Sequence, residues 1–282
     1  MDTNINSSPM DAAFFDEYTS NAAILKYTRE TAGYGVSYLL DHDYREVYRR
    51  ALELLPPESR QRGIRVLEFG CGGGMNLIHL VSVLRREGIN LDRAIGTDFS
   101  PVLIDAAQRE ANKYLQDSDR DKIEFLVARN ETLVKDLSAA IERAPAGSFH
   151  FILGVNTIRY CHRARVQMDC ARDIKKLLVP GGVCVAIDMN DRFPAFRSTL
   201  RHRFRRVSEE ERYIPSLAEY AAPFEESGFE MLRKEHFCWI PHSGGKWLCG
   251  IMRGLSSVLN ILAPSRAMRS LVVARKPACA AS

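Results

Sequence analysis

The sequence predicts a doubly wound α/β fold, a mostly parallel seven-stranded sheet with helices on both faces. Three observations carry that expectation. From Arg65 onward, short continuous apolar runs alternate with stretches of helical period, the pattern of strands covered on both sides. The first run ends in a cluster of glycines, "VLEFGCGGGMN" from Val66 to Asn76. The second, "AIGTDFSP", ends in the acid Asp98, about 24 residues beyond Gly74. In open parallel sheets, ligands lie at the carboxyl ends of the strands, where such turns and acids collect.

Each element follows from its own residues. "IRVLEF" reads as a buried strand, and "MNLIHLVSVLRREG" as a helix stopped by Gly88. "RAIGTDF" is the second strand. "SPVLIDAAQREANKYLQ" opens a helix with Ser100 at the N-cap and Pro101 at the first helical position. "KIEFLVA" and "FHFILGV" are the third and fourth strands. The helix "VQMDCARDIKKLLV" and the turn "PGG" lead into the fifth, "GVCVAIDM". Ser216 and Glu219 have the spacing of a capping box at the head of "SLAEYAAPFEESG". "FEMLRKEHFCWI" and "RSLVVARK" supply two closing strands.

The expected division is a helical leader or lid over residues 1–60, a core over 61–190, a basic cap and helix over 191–228, and the closing strands over 229–282. An amphipathic helical insertion, about residues 243–264, interrupts that last part.

Composition excludes more than it selects. At 282 residues, 46% hydrophobic and 26% charged, the chain suits an ordinary globular protein. A net charge of +4 does not by itself call for a nucleic-acid partner, and none is expected. No apolar run reaches the roughly 18 residues of a membrane span. The N-terminus lacks a basic segment followed by an apolar one, so a cytoplasmic location is expected. Seven scattered cysteines without a C-x-x-C pair suggest reduced thiols rather than a metal or redox centre, and no metal is expected.

The glycine turn can be tested against known nucleotide signatures. Gly70 and Gly72 satisfy two positions of the dinucleotide fingerprint G-x-G-x-x-G, but the third falls on Met75. The phosphate-binding G-x-x-x-x-G-K-[ST] also fails. What stands here is Glu68 followed by Gly70, Gly72 and Gly74 at alternate positions. This resembles the first motif of the class I S-adenosylmethionine-dependent methyltransferases, (D/E)-x-G-x-G-x-G. "GTDFSP" looks like that family's second element, "LLVPGG" like the turn before its fifth strand, and "FHFILGVN" like its fourth strand.

The resemblance implies a Rossmann-like core, a methyltransferase activity (a transferase of one-carbon groups) and S-adenosylmethionine as cofactor, with S-adenosylhomocysteine as product. It assigns Glu68, Gly70, Gly72, Gly74, Asp98, Phe99 and Asn156 to cofactor binding. Glycine allows the backbone a close approach to a phosphate-free ligand. Glu68 favours its cationic end, and Asp98 can accept from both ribose hydroxyls. At the third strand the family's acid is replaced by Arg129 in "ARNETL", so Asn130, with a donor and an acceptor, is expected at the adenine edge, with Arg129 stacked on the ring or both residues on the loop surface as the alternatives.

Acceptor residues are sought outside the sheet. The leader carries Tyr18, Tyr27, Tyr34, Tyr38 and Tyr44; Tyr27 and Tyr34 are the expected cofactor contacts. After the fourth strand, "NTIRYCHR" offers His162 as a base near neutrality, Arg159 as an anchor for a carboxylate or phosphate, and Tyr160 beside them. His242 and Asp169 are weaker base candidates. Arg197, Arg201, Arg203, Arg205 and Arg206, with His202 among them, form a basic stretch that would attract an anionic acceptor.

Trp247, Leu248, Ile251, Met252, Leu255, Val258, Leu259 and Leu262 recur at helical spacing in the insertion. They suit core or a dimer surface first, and a greasy acceptor or a membrane surface second. Homodimerisation is open through this insertion or the leader.

The expected acceptor is therefore a small molecule, a natural product or lipid- or prenyl-like compound with an anionic group, such as secondary metabolism supplies. RNA or protein methylation is the rival, weakened by the absence of [D/N]-P-P-[Y/F/W]. A non-catalytic cofactor-binding scaffold and a nicotinamide-dependent oxidoreductase are the others, and Met75 argues against the last.

Overall fold

The computed structural model describes residues 28, 32–141, 146–194, 214–242 and 244–278. It opens with α1 (Tyr34–Leu39), which runs through a π-helical turn, Leu40–Tyr44, into α2 (Arg45–Leu52). Helix α3 (Pro57–Arg62) then leads to β1 (Ile64–Phe69), the glycine turn and α4 (Met75–Arg86). Next come β2 (Leu91–Asp98), α5 (Pro101–Tyr114), the short α6 (Asp117–Arg120), β3 (Ile123–Val127) and α7 (Leu133–Ala140). β4 (Phe149–Val155), α8 (Ile158–Arg163), α9 (Gln167–Leu177) and β5 (Leu178–Met189) follow. The chain closes with α10 (Leu217–Glu226), β6 (Glu230–Phe237), α11 (Lys246–Leu262) and β7 (Arg269–Arg275).

The seven strands form one sheet in the order β3-β2-β1-β4-β5-β7-β6. β1 to β5 are mutually parallel, whereas β7 runs antiparallel between β5 and β6. This is the mostly parallel, doubly wound sheet that the alternating pattern predicts. Strand order reverses between β1 and β4, so the crevice for a ligand opens beyond Phe69 and Val155. β5 is longer than expected. Phe149 pairs with Leu178 and Phe151 with Val183, so the "PGG" residues are looped out within the strand, Gly181 at φ +77°.

The sheet buries two apolar clusters, one on each face. Val66, Leu153, Val185 and Val273 point to one face and meet Leu39, Tyr44, Tyr48 and Leu52 of the leader with Leu77, Ile78 and Val81 of α4. Leu67, Ile152, Cys184 and Val272 point to the other, against Leu137, Ile174, Tyr220 and Phe224. The alternation along β1, β4, β5 and β7 is the two-residue period of a strand. Residues 34–52 therefore form part of the core that fixes the sheet.

Local signals at the helix ends act as the sequence implies. Ser100 Oγ accepts from Leu103 N, and Ser216 with Glu219 forms a complete capping box on α10. Among the described residues, no helix is long and apolar enough to cross a membrane, and the six described cysteines are free and buried. Tyr27 and the arginine-rich stretch from Arg197 to Arg206, with His202, lie outside the described residues.

Candidate functional site

The glycine turn is built around two carboxylates. Gly70, Gly72 and Gly74 adopt φ of +61°, +52° and +76°, a region that costs a side-chain-bearing residue about 1–2 kcal/mol. Two of them also have no room for a side chain. A Cβ on Gly70 would lie 2.4 Å from Thr157 Cγ2, and one on Gly74 would lie 2.9 Å from Phe125 Cε1. The main chain is thereby pressed between β2, β3 and the end of β4.

Asp98, buried at the end of β2, holds the turn in place. Gly72 N donates to Asp98 Oδ2 at 2.9 Å, and Ser100 N donates to Asp98 Oδ1 at 3.0 Å. Burial raises the Asp98 carboxyl above the ordinary range, and the amides of Ser100, Gly72 and Phe99 partly offset it. Each carboxylate oxygen keeps acceptor capacity for a further donor.

Glu68 is completely buried at the other side of the turn, and Leu77 N at the head of α4 donates to its Oε2 at 2.8 Å. It therefore satisfies one of the free amides of the helix N-terminus. Its Oε1 is buried and accepts no hydrogen bond among the described residues. Burial drives this carboxyl well above the carboxylate range, against the Leu77 amide and Asn76, with Asp98 adding to the rise. A buried acceptor left in this state favours a cationic donor.

A second polar cluster gathers beyond β4 and β5. Asn156 has φ +57°, an uncommon conformation for a residue other than glycine and one that Asn tolerates best. Its N–H donates to Ile187 O at 2.7 Å, and its Oδ1 accepts from Arg269 Nη1 at 2.6 Å. Thr157 Oγ1 donates to Gly70 O at 3.1 Å and so ties this cluster to the glycine turn. Arg159 N donates to Asp188 Oδ2 at 3.1 Å, and its Nε lies 3.6 Å from Oδ1 of that buried acid. The Arg159 guanidinium also sits 4.6 Å over the Tyr160 ring and donates to its hydroxyl. Burial raises the Asp188 carboxyl, and Arg159 is the first of the groups that counter it.

His162 lies one turn further along α8, its ring edge-on to Tyr220 with centroids 5.9 Å apart. Burial lowers its pKa, the nearby acids Glu219 and Asp188 opposing, so the imidazole is neutral at neutral pH. Its Nε2 is buried without a hydrogen-bond partner among the described residues. His242 instead contacts the buried Arg269 guanidinium. Burial first, then Arg269 and Arg159, hold its pKa well below the usual histidine value, which makes it a poor base. Asp169 is exposed on α9 and pairs with Arg172.

The structure thus brings Glu68, Gly70, Gly72, Gly74 and Asp98 into one bonded unit, with Asn156, Arg159 and Tyr160 at the adjacent strand end. Phe99 and Asn130, both half-buried, follow β2 and β3 along the same edge. Tyr34 is 43% exposed on α1, where its ring lies 5.8 Å from Lys246 Nζ. Four residues of the site carry little sequence signal. The hydroxyl of fully buried Tyr48 donates to Asn76 Oδ1 at 3.4 Å, at the head of α4. Thr157 and Arg269 act across the sheet. Asp188 is the one whose signal was readable, an acid alone in the apolar run "GVCVAIDM".

This arrangement suits a ligand with a cationic end and vicinal hydroxyls. No group of three or more metal-ligating side chains is gathered among the described residues. A family model described as a methyltransferase domain matches residues 40–234, from the leader into β6. None of the curated proteins compared with the chain is similar to it in sequence.

Among solved structures, Haemonchus contortus phosphoethanolamine N-methyltransferase 2, in complex with S-adenosylmethionine, matches at 16% identity and TM-score 0.58, over 98% of this chain and 61% of that one. A chain from the complex between the Haloferax volcanii Trm112 methyltransferase activator and the putative methyltransferase matches at 17% and 0.54, over 93% and 96%. The cyclase SpnF matches at 16% and 0.52, over 83% and 81%. At these identities the likeness is one of fold.

Proposed function

The chain belongs to the methyltransferase-domain family, and from that premise we propose that it transfers a methyl group from S-adenosylmethionine to a small-molecule acceptor. The observation that carries the reading is the paired arrangement of Glu68 and Asp98 about the glycine turn. Glu68 Oε1 offers a buried acceptor to the donor's ammonium end, whose positive charge favours the ionised form of the carboxyl. Asp98 offers its remaining lone pairs to the ribose hydroxyls. Gly70, Gly72 and Gly74 keep side chains out of the crevice, Phe99 and Asn130 border the adenine side, and Asn156 marks the methionine side. Tyr34 on α1 is the leader's candidate contact with the donor.

S-adenosylmethionine supplies a methyl carbon activated by the sulfonium charge. The protein's own task is alignment, exclusion of water and, for a protonated acceptor, removal of a proton. His162 takes that proton at its neutral Nε2. Arg159, steadied by Asp188 and by the Tyr160 ring, holds an acceptor carboxylate or phosphate, and buried Arg269 adds positive charge on the same side. Such a cluster favours an acceptor with an apolar body and an anionic group, a chemistry common among natural products and lipid-like molecules.

The test is methyl-labelled S-adenosylmethionine incubated with the purified chain and, in parallel, a small-metabolite extract, RNA and a protein fraction. Label should enter the metabolite extract. Label confined to RNA or protein would overturn the small-molecule reading.

A further inference from the structure

Helix α11 has three faces, and the other described residues engage only two of them. At 3.6 residues per turn, Cys249, Met252, Ser256 and Leu259 share one face, and these are its buried or half-buried positions. Met252 packs on the core cluster of the leader and sheet. A second face carries Lys246, Arg253, Ser257 and Asn260; Trp239 Nε1 donates to Asn260 Oδ1 at 2.8 Å. The third consists of Trp247, Leu248, Ile251, Leu255, Val258 and Leu262, all exposed, Trp247 at 81% and Leu262 at 75%. Single exposed apolar side chains are ordinary, but a contiguous apolar strip along one helix marks a docking surface.

Charge decides what docks there. From His236 to Ser282 the sequence contains no Asp or Glu and six Lys or Arg residues. Lys246, Arg253 and Arg266 are exposed on the helix or just past its end. Lys246 and Arg253 stand on the second face, across the helix from the strip, so the strip itself is uncharged while the polar side is cationic and has no carboxylate of its own segment beside it. An anionic lipid surface suits both exposed faces together: the apolar strip enters the acyl boundary and the cations stay among the headgroups. Trp247 beside Lys246 is the pairing expected at that depth. With 17 residues the helix is about 25 Å long, shorter than a span, and it lies along the surface.

We propose that α11 is an in-plane docking surface for an anionic phospholipid bilayer. The helix is rooted beside the polar cluster. Gly244 N, just before it, donates to Pro241 O at 2.9 Å, and His242 between them contacts Arg269, the residue that holds Asn156. Docking therefore sets the loop over the end of β4 close to the lipid.

The test is cosedimentation of the full chain with phosphatidylcholine vesicles and with vesicles that also contain phosphatidylglycerol. Binding should be strong only to the second kind and should weaken with salt. Leu255→Ser with Val258→Ser should lower the partition by roughly tenfold or more, and Arg253→Glu by about fivefold or more. The double variant alters only exposed side chains and should keep the wild-type melting temperature. The proposal is overturned if the chain binds neither vesicle, or if the double variant binds as well as the wild type. It is equally overturned if light scattering shows a dimer that the double variant dissolves while vesicles capture neither. Because the readout is vesicle binding, its failure leaves the methyl-transfer reading untouched.

Discussion

The close approach of Gly70 to Thr157 predicts a compensating pair of substitutions. Gly70→Ala places a Cβ 2.4 Å from Thr157 Cγ2 and 2.6 Å from its Oγ1, on a backbone at φ +61°. The positive φ costs about 1–2 kcal/mol, and overpacking a well-filled contact costs about 1–3 kcal/mol. The single variant should therefore lose about 2–5 kcal/mol of unfolding free energy.

Thr157→Ala removes the hydroxyl bond to Gly70 O and should cost about 0.5–1.5 kcal/mol. It also removes both atoms that crowd the new methyl, leaving Thr157 Cβ at 3.1 Å as the nearest part of that side chain. The double variant should keep the backbone strain and lose the overlap. It should thus be more stable than the sum of the singles by about 1–3 kcal/mol. Urea unfolding of the four proteins measures the cycle. Additivity within about 0.5 kcal/mol would refute the claim that this contact is what excludes a side chain at Gly70.

Two further outcomes follow from the site. Burial holds the Glu68 carboxyl above its unfolded value, so the folded chain binds that proton more tightly. The associated stabilisation is complete below the unfolded pKa and disappears as pH rises through the folded one. Glu68→Gln should remove this decline, gaining on the wild type in urea melts as pH rises above the ordinary carboxylate range. S-adenosylmethionine affinity, measured by calorimetry, should rise over the same span in the wild type and be flat in the variant; a rise in both would remove Glu68 as the partner of the cationic end. His162→Ala should lower turnover by about 100-fold or more at unchanged donor affinity, and unchanged turnover would remove it as the base.

The fold was legible because its signals are local. Continuous apolar strands, the Ser100–Pro101 helix start and the Ser216–Glu219 box each lie within one element. β7 was legible as a strand, but its insertion antiparallel between β5 and β6 depends on pairings across the whole chain. The site divides in the same way. Glu68, the glycines and Asp98 stand at strand ends, where topology alone directs them to a ligand. The contacts of Thr157 with Gly70 and of Arg269 with Asn156 span 87 and 113 positions, so no spacing announces them. Tyr48 was hidden by its helical pattern, which reads as plain core. The helix-end bond of Glu68 was missed because an acid before a glycine turn reads as a ligand contact, and the structure gives it both a bond to Leu77 and a free oxygen. The apolar positions of α11 were legible as a stripe, but periodicity does not tell which side of a helix is covered.

The central claim is that the turn between Glu68 and Asp98 receives an adenosyl ligand without phosphates. A crystal structure with S-adenosylhomocysteine tests it most directly. The product should lie along Gly70–Gly74, with its ribose on Asp98 and its amino group toward Glu68. Density for the product at any other place, or a crevice still closed by side chains in its presence, would contradict it.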